Sequence, residues 1–287
     1  MTGRSADCRE ESEQPVGVFD SGVGGLSVLR ALERRLPNEN YIYFGDTARA
    51  PYGNRSPGEI RRFNLEIGKW LLDQQCKMLL VACNTSTVLG GLEALRNSTA
   101  KSVFGMMEAI LSGVTDTDGP IGFIATQGTV DSGAYQKAFA EKFAGTAFIA
   151  RACPDFVPLV ERGETSGPDV ARAVEAYLTP LREQGVCTLV LGCTHYPYLA
   201  PVISAFLGDG VRLSDPADAL ASIVEAHLCD TGLLNNGVDS DGFVNTATGG
   251  AGGERSFYCS GDTESFRFVG QIMLGRPLGE VKRQVFI

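Results

Sequence analysis

The sequence predicts an α/β protein of two pseudo-symmetric halves, each a mostly parallel sheet flanked by helices, with a site in the crevice between them. Three observations carry this reading. Short uninterrupted apolar runs, such as Leu79-Leu80-Val81-Ala82 and Leu189-Val190-Leu191, have the pattern of parallel strands buried on both faces. These runs alternate with segments of helical period, as in a chain of strand–helix–strand units. The pattern also restarts at Pro120: the run from Ile121 parallels the run from Val16 (121 − 16 = 105), and Cys193 parallels Cys83 (193 − 83 = 110). Two similar offsets point to an internal duplication. The competing account is the loose repetition common to every α/β fold.

Taken in order, the polar stretch MTGRSADCREESEQP reads as a mobile tail over 1–15, with Cys8 incidental to it. Residues 16–19 form a short buried strand, and Asp20-Ser21-Gly22-Val23-Gly24-Gly25 is a tight turn into a helix over 26–36. Glycines there let a backbone come close to a ligand. The turn fails the dinucleotide fingerprint, because its third glycine position is Ser27. Asp20 has the place of a helix N-cap. Residues 40–44 are the next strand, and Asp46 lies in the loop at its carboxyl end. A helix over 56–75 carries Trp70, and the strand 78–82 runs into Cys83. Asn84, Thr85 and Ser86 are N-cap types, so a helix begins just after the cysteine. Three successive strands thus end in polar loops that can face one crevice.

The second half reads as a strand over 121–126, a helix over 132–143, a strand over 146–151 and an irregular stretch over 153–161. An amphipathic helix spans 168–184 despite Pro180, and 186–191 is the central strand. A strand at 211–215 and a helix over 216–228 follow. Gly and Asn clusters predict a loop or hairpin within 235–256. Residues 257–259 are the last strand and 263–274 the final helix.

At 287 residues the chain is long enough for two domains. Its formal net charge of −9 argues against nucleic acid or an anionic membrane surface as the main partner. A small anionic ligand remains open, since backbone N–H groups can bind one locally. No run has the length of a membrane span, and the first fifteen residues lack an apolar signal core, so the cytoplasm is the expected location. Eight cysteines without a Cys-x-x-Cys pair do not suggest a disulfide framework in a chain of this kind. Only His195 and His227 are present, and no ligand set has the usual spacing, so no metal is expected.

Cys83 and Cys193 sit alike: each follows a buried-strand run, then a small residue, and precedes hydrogen-bonding residues. One such cysteine is most simply a small buried hydrophobe. Two in repeated context suit a reaction that inverts a carbon bearing one proton, which needs an acid and a base on opposite faces. A thiol beside a helix N-terminus or a cation can have its pKa lowered, so one thiolate and one thiol can coexist near neutral pH.

These residues resemble the glutamate racemase family, cofactor-independent enzymes that supply D-glutamate for peptidoglycan. The resemblance lies in Asp20-Ser21-Gly22-Val23-Gly24-Gly25, in Gly45-Asp46-Thr47-Ala48-Arg49 with Pro51-Tyr52-Gly53, and in Ala82-Cys83-Asn84-Thr85. It continues in Gly192-Cys193-Thr194-His195-Tyr196-Pro197 and Gly261-Asp262-Thr263-Glu264-Ser265-Phe266. It implies that Cys83 and Cys193 are the catalytic acid–bases, Asp20 assisting Cys83 and His195 assisting Cys193. It further implies a glutamate pocket lined by Ser21, Asp46, Tyr52, Gly53, Asn84, Thr85, Thr129 and Thr194, with Glu161 as a supporting acid. Of these, Asp46 is expected to accept from the substrate ammonium. The resemblance also implies a first domain over 16–97 and 212–287 and a second over 98–211.

Absence of a cofactor agrees with the residues, because all six lysines lie outside these motifs and no Schiff-base candidate stands out. Ala50 and the run Ser86-Thr87-Val88 depart from the family pattern, and neither is expected to touch a catalytic role. A racemase for aspartate or another amino acid would keep both cysteines. A cysteine-nucleophile hydrolase would use one thiol with a nearby base. The oligomeric state, a homodimer included, is left open by the sequence.

Overall fold

Ten strands form two sheets in the computed structural model, which describes residues 6–115, 119–237 and 252–286. In chain order they are β1 (Val16–Asp20), β2 (Tyr41–Gly45), β3 (Met78–Val81), β4 (Ser102–Phe104) and β5 (Ile121–Ala125). Then follow β6 (Phe148–Ala152), β7 (Thr188–Leu191), β8 (Arg212–Ser214), β9 (Arg255–Cys259) and β10 (Val281–Arg283). The first sheet has the order β10-β9-β2-β1-β3-β4 and the second β6-β5-β7-β8. Every pairing is parallel. The order β2-β1-β3-β4 recurs in the second sheet as β6-β5-β7-β8, which is the pseudo-symmetry expected from the repeated motifs.

β1, β2, β3, β5 and β7 are buried along their whole length, which explains their near-continuous apolar runs. Successive residues still serve different cores. Val16, Val18, Met78 and Leu80 join the large core continuous with the second sheet. Phe19, Leu79 and Val81 point the other way, onto Ile67 and Leu71 of the helix Pro57–Asp73. That helix starts with a capping box: Ser56 Oγ accepts from the Glu59 N–H, and Glu59 accepts from the Ser56 N–H at 3.0 Å. The helix Ala217–Asp230 packs against both Leu26–Arg35 and Met106–Gly113, which gives the two halves one apolar core.

Several expectations are corrected by the strands and helices observed. Residues Ala6–Glu13 form a helix where a mobile tail was expected. Its end is held by buried Lys77, whose Nζ donates to Ser12 O at 2.6 Å, Glu39 Oε2 at 2.5 Å and Leu233 O at 2.9 Å. β4 belongs to the first sheet and β8 to the second, so sheet membership crosses the boundaries expected at 97 and 211. β4 is three residues long, too short to show periodicity, and β8, expected as a strand, takes its sheet from its pairing with β7, which no local pattern records. Within the stretch expected to be irregular, Phe156–Glu161 is helical. β10 follows the strand expected to be last, at the sheet edge beside β9. The loop or hairpin expected over 235–256 lies mostly outside the described residues.

Candidate active site

In each sheet the chain order reverses at a central pair, β1/β3 in the first and β5/β7 in the second, and such switch points open crevices at the strands' carboxyl ends. Asp20 ends β1, Cys83 follows β3, Thr126 follows β5 and Cys193 follows β7. The two ends close on one cleft of about 610 Å³, open mouth included. Ser21, Tyr52, Gly53, Cys83, Asn84 and Thr85 form its wall from the first half. Thr126, Pro154, Val157, Cys193, Thr194 and His195 form its wall from the second. Both cysteines are nearly buried, and both are free thiols.

On the Cys193 side a line of three groups runs away from the cleft. Cys193 Sγ lies 3.7 Å from His195 Nδ1, and His195 Nε2 lies 2.7 Å from Glu161 Oε1. The same Glu161 oxygen accepts from the Val23 N–H at 3.0 Å. Burial opposes charge on the ring, but the hydrogen bonds to Cys193 and Glu161 outweigh it and hold the His195 pKa well above its usual value. His195 is therefore an imidazolium near neutral pH, with both N–H groups facing acceptors.

The Cys83 side is different. Burial pushes this thiol up to about 12, and the neighbouring Asp20 carboxylate adds to the effect. Asp20 is itself fully buried, and burial raises its pKa against the opposing charge of His195. Asp20 Oδ2 accepts from Thr194 Oγ1 at 3.0 Å and Oδ1 from the Gly22 N–H at 3.0 Å, so Asp20 joins the two halves. Asn84 Oδ1 accepts from Tyr135 OH at 2.6 Å, which fixes the amide. Asn84 Nδ2, on the cleft wall, is buried without a hydrogen-bond partner among the described residues. An open buried donor of this kind suits an anionic ligand group.

The glycine turn has a reason other than the close ligand approach expected of it. A Cβ on Gly24 would lie 2.3 Å from His195 Nδ1, and one on Gly22 would lie 2.0 Å from Glu161 Oε1. These glycines let the first half press against the His195–Glu161 pair of the second. Ser27 Oγ, in the third fingerprint position, donates to Thr194 O at 3.1 Å across the same seam.

Of the expected site residues, Cys83, Cys193, His195, Ser21, Tyr52, Gly53, Asn84, Thr85 and Thr194 share the cleft wall, and four stand behind it. Asp46, expected at the substrate ammonium, is fully buried and already accepts from Tyr52 OH, Arg49 Nε and Ser260 Oγ. It holds the Tyr52 ring in place and does not reach the cleft. Thr129 closes a hydroxyl triangle with Thr85 and Thr126, each side 3.0–3.1 Å. Asp20 and Glu161 support Thr194 and His195 from behind. Thr126 escaped the sequence reading, although it ends a strand as its helix's N-cap, as did Asn54, Gln127, Pro154, Val157 and Pro158. Ser86 was set aside as a departure without a role, yet its N–H and hydroxyl favour the charged form of Cys83. Among the described residues no group of three or more His, Cys, Asp or Glu is placed to hold a metal ion.

A family model described as Asp/Glu/hydantoin racemase matches residues 16–224. The chain belongs to this racemase family. Its curated relatives include a glutamate racemase of Corynebacterium diphtheriae, 41% identical over 271 residues, covering 94% of this chain and 97% of the relative. A solved glutamate racemase of Francisella tularensis, in complex with D-glutamate, is 32% identical with a TM-score of 0.83, covering 96% of this chain and 98% of that one. That of Thermus thermophilus, in complex with β-chloro-D-alanine, is 38% identical with a TM-score of 0.80, over 96% and 98% of the two chains. Members of the racemase family so similar in fold share its two-sheet architecture. No helix among the described residues of this member is long and apolar enough to cross a membrane.

Proposed function

We propose that this chain interconverts L- and D-glutamate, without a cofactor, by passing the Cα proton between Cys83 and Cys193. One observation carries the reading: two thiols, supplied by two different sheets, share the wall of a single cleft in unlike electrostatic surroundings. We assign Cys193, which faces His195 Nδ1 at 3.7 Å, as the base in the direction that starts with Cys83 as the thiol, because burial and Asp20 push the Cys83 thiol up. In that state Cys193 removes the Cα proton from one face and Cys83 delivers its own to the other. The reverse reaction starts from the opposite protonation. Asn84 Nδ2 and the hydroxyls of Ser21 and Thr85 bind the carboxylates, and enclosure keeps water from the carbanion. The bound D-glutamate of the Francisella tularensis relative supports glutamate as the substrate. The same reading assigns the product to peptidoglycan synthesis in the cytoplasm.

A second reading has an observation of its own. Cys193, His195 and Glu161 also have the order of nucleophile, base and orienting acid used by cysteine hydrolases. That reading gives Cys83 no task. Incubation with L-glutamate in heavy water separates the two, because only Cα proton transfer puts deuterium into recovered glutamate. We expect Cys83→Ser and Cys193→Ser each to fold and to lose nearly all racemisation. Full activity in either variant overturns the two-cysteine reading.

A further inference from the structure

We propose that Arg49, stacked on Phe63 and Phe286, is a positioning residue: through Asp46 it holds the Tyr52–Gly53 edge of the cleft against the second half and so sets the binding of glutamate. The inference rests on the racemase reading and adds to it a group that stands outside the cleft wall.

The loop after β2 is held from outside itself. Its regular piece is the three-residue 3₁₀ turn Tyr52–Asn54, too short to fix its own place. Tyr52 and Gly53 of that turn line the cleft. The turn also abuts the second half: a Cβ on Gly53 would lie 2.9 Å from Thr126 Cβ, and one on Gly128 would lie 2.8 Å from Gly53 O. A small shift of the loop therefore opens the cleft wall at the seam. Asp46 fixes it. Its Oδ2 accepts from Tyr52 OH and from Arg49 Nε, the latter at 2.6 Å, and its Oδ1 accepts from Ser260 Oγ at 2.7 Å. The same Ser260 oxygen accepts from the Ala48 N–H at 3.0 Å. Asp46 is fully buried, and Arg49 is the one cation paired with it among the described residues. A buried carboxylate keeps its charge only beside such a partner. Arg49 in turn is tied to elements outside the loop. Its Nη1 pairs with Glu66 of the helix Pro57–Asp73, and the guanidinium lies 4.1 Å from the centre of the Phe63 ring and 5.2 Å from that of Phe286. Its Nη2 is buried with no hydrogen-bond partner among the described residues, so the two acids and the two rings decide where the group sits. Phe286 is itself packed on Phe44 of β2, with 5.4 Å between ring centres. One planar cation thus joins helix, C-terminal segment and cleft edge, which the single charged point of a lysine cannot do.

The test compares the wild type, Arg49→Lys and Phe286→Leu by hydrogen exchange of the peptide spanning 47–55 and by KM and kcat for L-glutamate. Both variants keep a cation beside Asp46, so neither leaves that carboxylate buried alone. Arg49→Lys loses one hydrogen bond between charged groups, which corresponds to about 10-fold, so exchange of 47–55 speeds up and KM rises by about that factor. Phe286→Leu removes one cation–π contact and changes both readings by about 3-fold. In each variant kcat is little changed, because the thiols stand at the ends of β3 and β7, which this loop does not carry. A merely structural loss would lower kcat through a smaller folded fraction and leave KM where it was, and that result overturns the proposal. Unchanged exchange of 47–55 overturns it too, as does an equal speeding in β1 and β3, which marks a general loosening. A wild type that puts no deuterium into glutamate in heavy water overturns the racemase reading instead, and the exchange of 47–55 then decides by itself whether Arg49 holds the loop.

Discussion

Replacing Glu161 by Gln changes one charge and almost no geometry. Glu161 Oε1 alone accepts from both the Val23 N–H and His195 Nε2, and a Gln Oε1 can do the same. What is lost is the anion 2.7 Å from the imidazolium. A hydrogen bond to a charged partner contributes about 1.5–3 kcal/mol, and the lower end applies because Glu161 is one-quarter exposed and partly screened. Without that anion the His195 pKa moves down towards its usual value. The alkaline limb of kcat/KM, where His195 gives up its proton, moves towards acid. Stability follows the same proton. The wild-type His195 pKa is raised above its unfolded value of about 6.5, so its contribution is complete below that pH and is lost as pH rises through the folded value. The wild-type advantage over Glu161→Gln in thermal unfolding is therefore widest below about pH 6.5 and closes at alkaline pH. An alkaline limb that stays in place, with a stability gap independent of pH, would refute the assignment of His195 as a cation held by Glu161.

Two further substitutions separate site geometry from fold stability. Gly24→Ala puts a Cβ 2.3 Å from His195 Nδ1, which displaces the ring from Cys193 by about 1 Å; kcat falls roughly 100-fold in a circular-dichroism racemisation assay, and a variant of wild-type activity would show that the ring's position is not critical. Lys77→Met leaves Glu39 buried without its cation, at about 3–5 kcal/mol, so the melting temperature drops by roughly 10 °C while racemisation at 25 °C is retained; an unchanged melting temperature would mean the pair contributes nothing.

Much of the site was legible in the sequence because it lies where strand patterning and small polar residues coincide. Cys83 and Cys193 each follow a fully buried strand, and a strand's period fixes which residue stands at its carboxyl end. Asn84 and Thr85 follow the same local rule as N-cap types after the cysteine, whereas the site roles of Asp20, Ser21 and Thr194 were implied by the family resemblance. The rule cannot tell a residue at the cleft wall from one a shell behind it. Asp46 and Thr129 were both expected on substrate, yet their polar atoms are taken by Tyr52, Arg49 and Ser260 in one case and by Thr85 and Thr126 in the other.

The sequence by itself determined the alternation of buried strands and helices, the repeat that sets two similar halves, and the pair of cysteines presented alike. These follow from local periodicity and side-chain type, which neighbouring residues fix. Only the tertiary structure decided what the halves do to each other. Gly22 and Gly24 admit Glu161 and His195 from the other half, Asp20 takes the Thr194 hydroxyl, and Tyr135 sets Asn84 from the other half. Those contacts join residues as far as 174 positions apart, and no local pattern records them, because packing two sheets together is what creates the different environments of the two thiols.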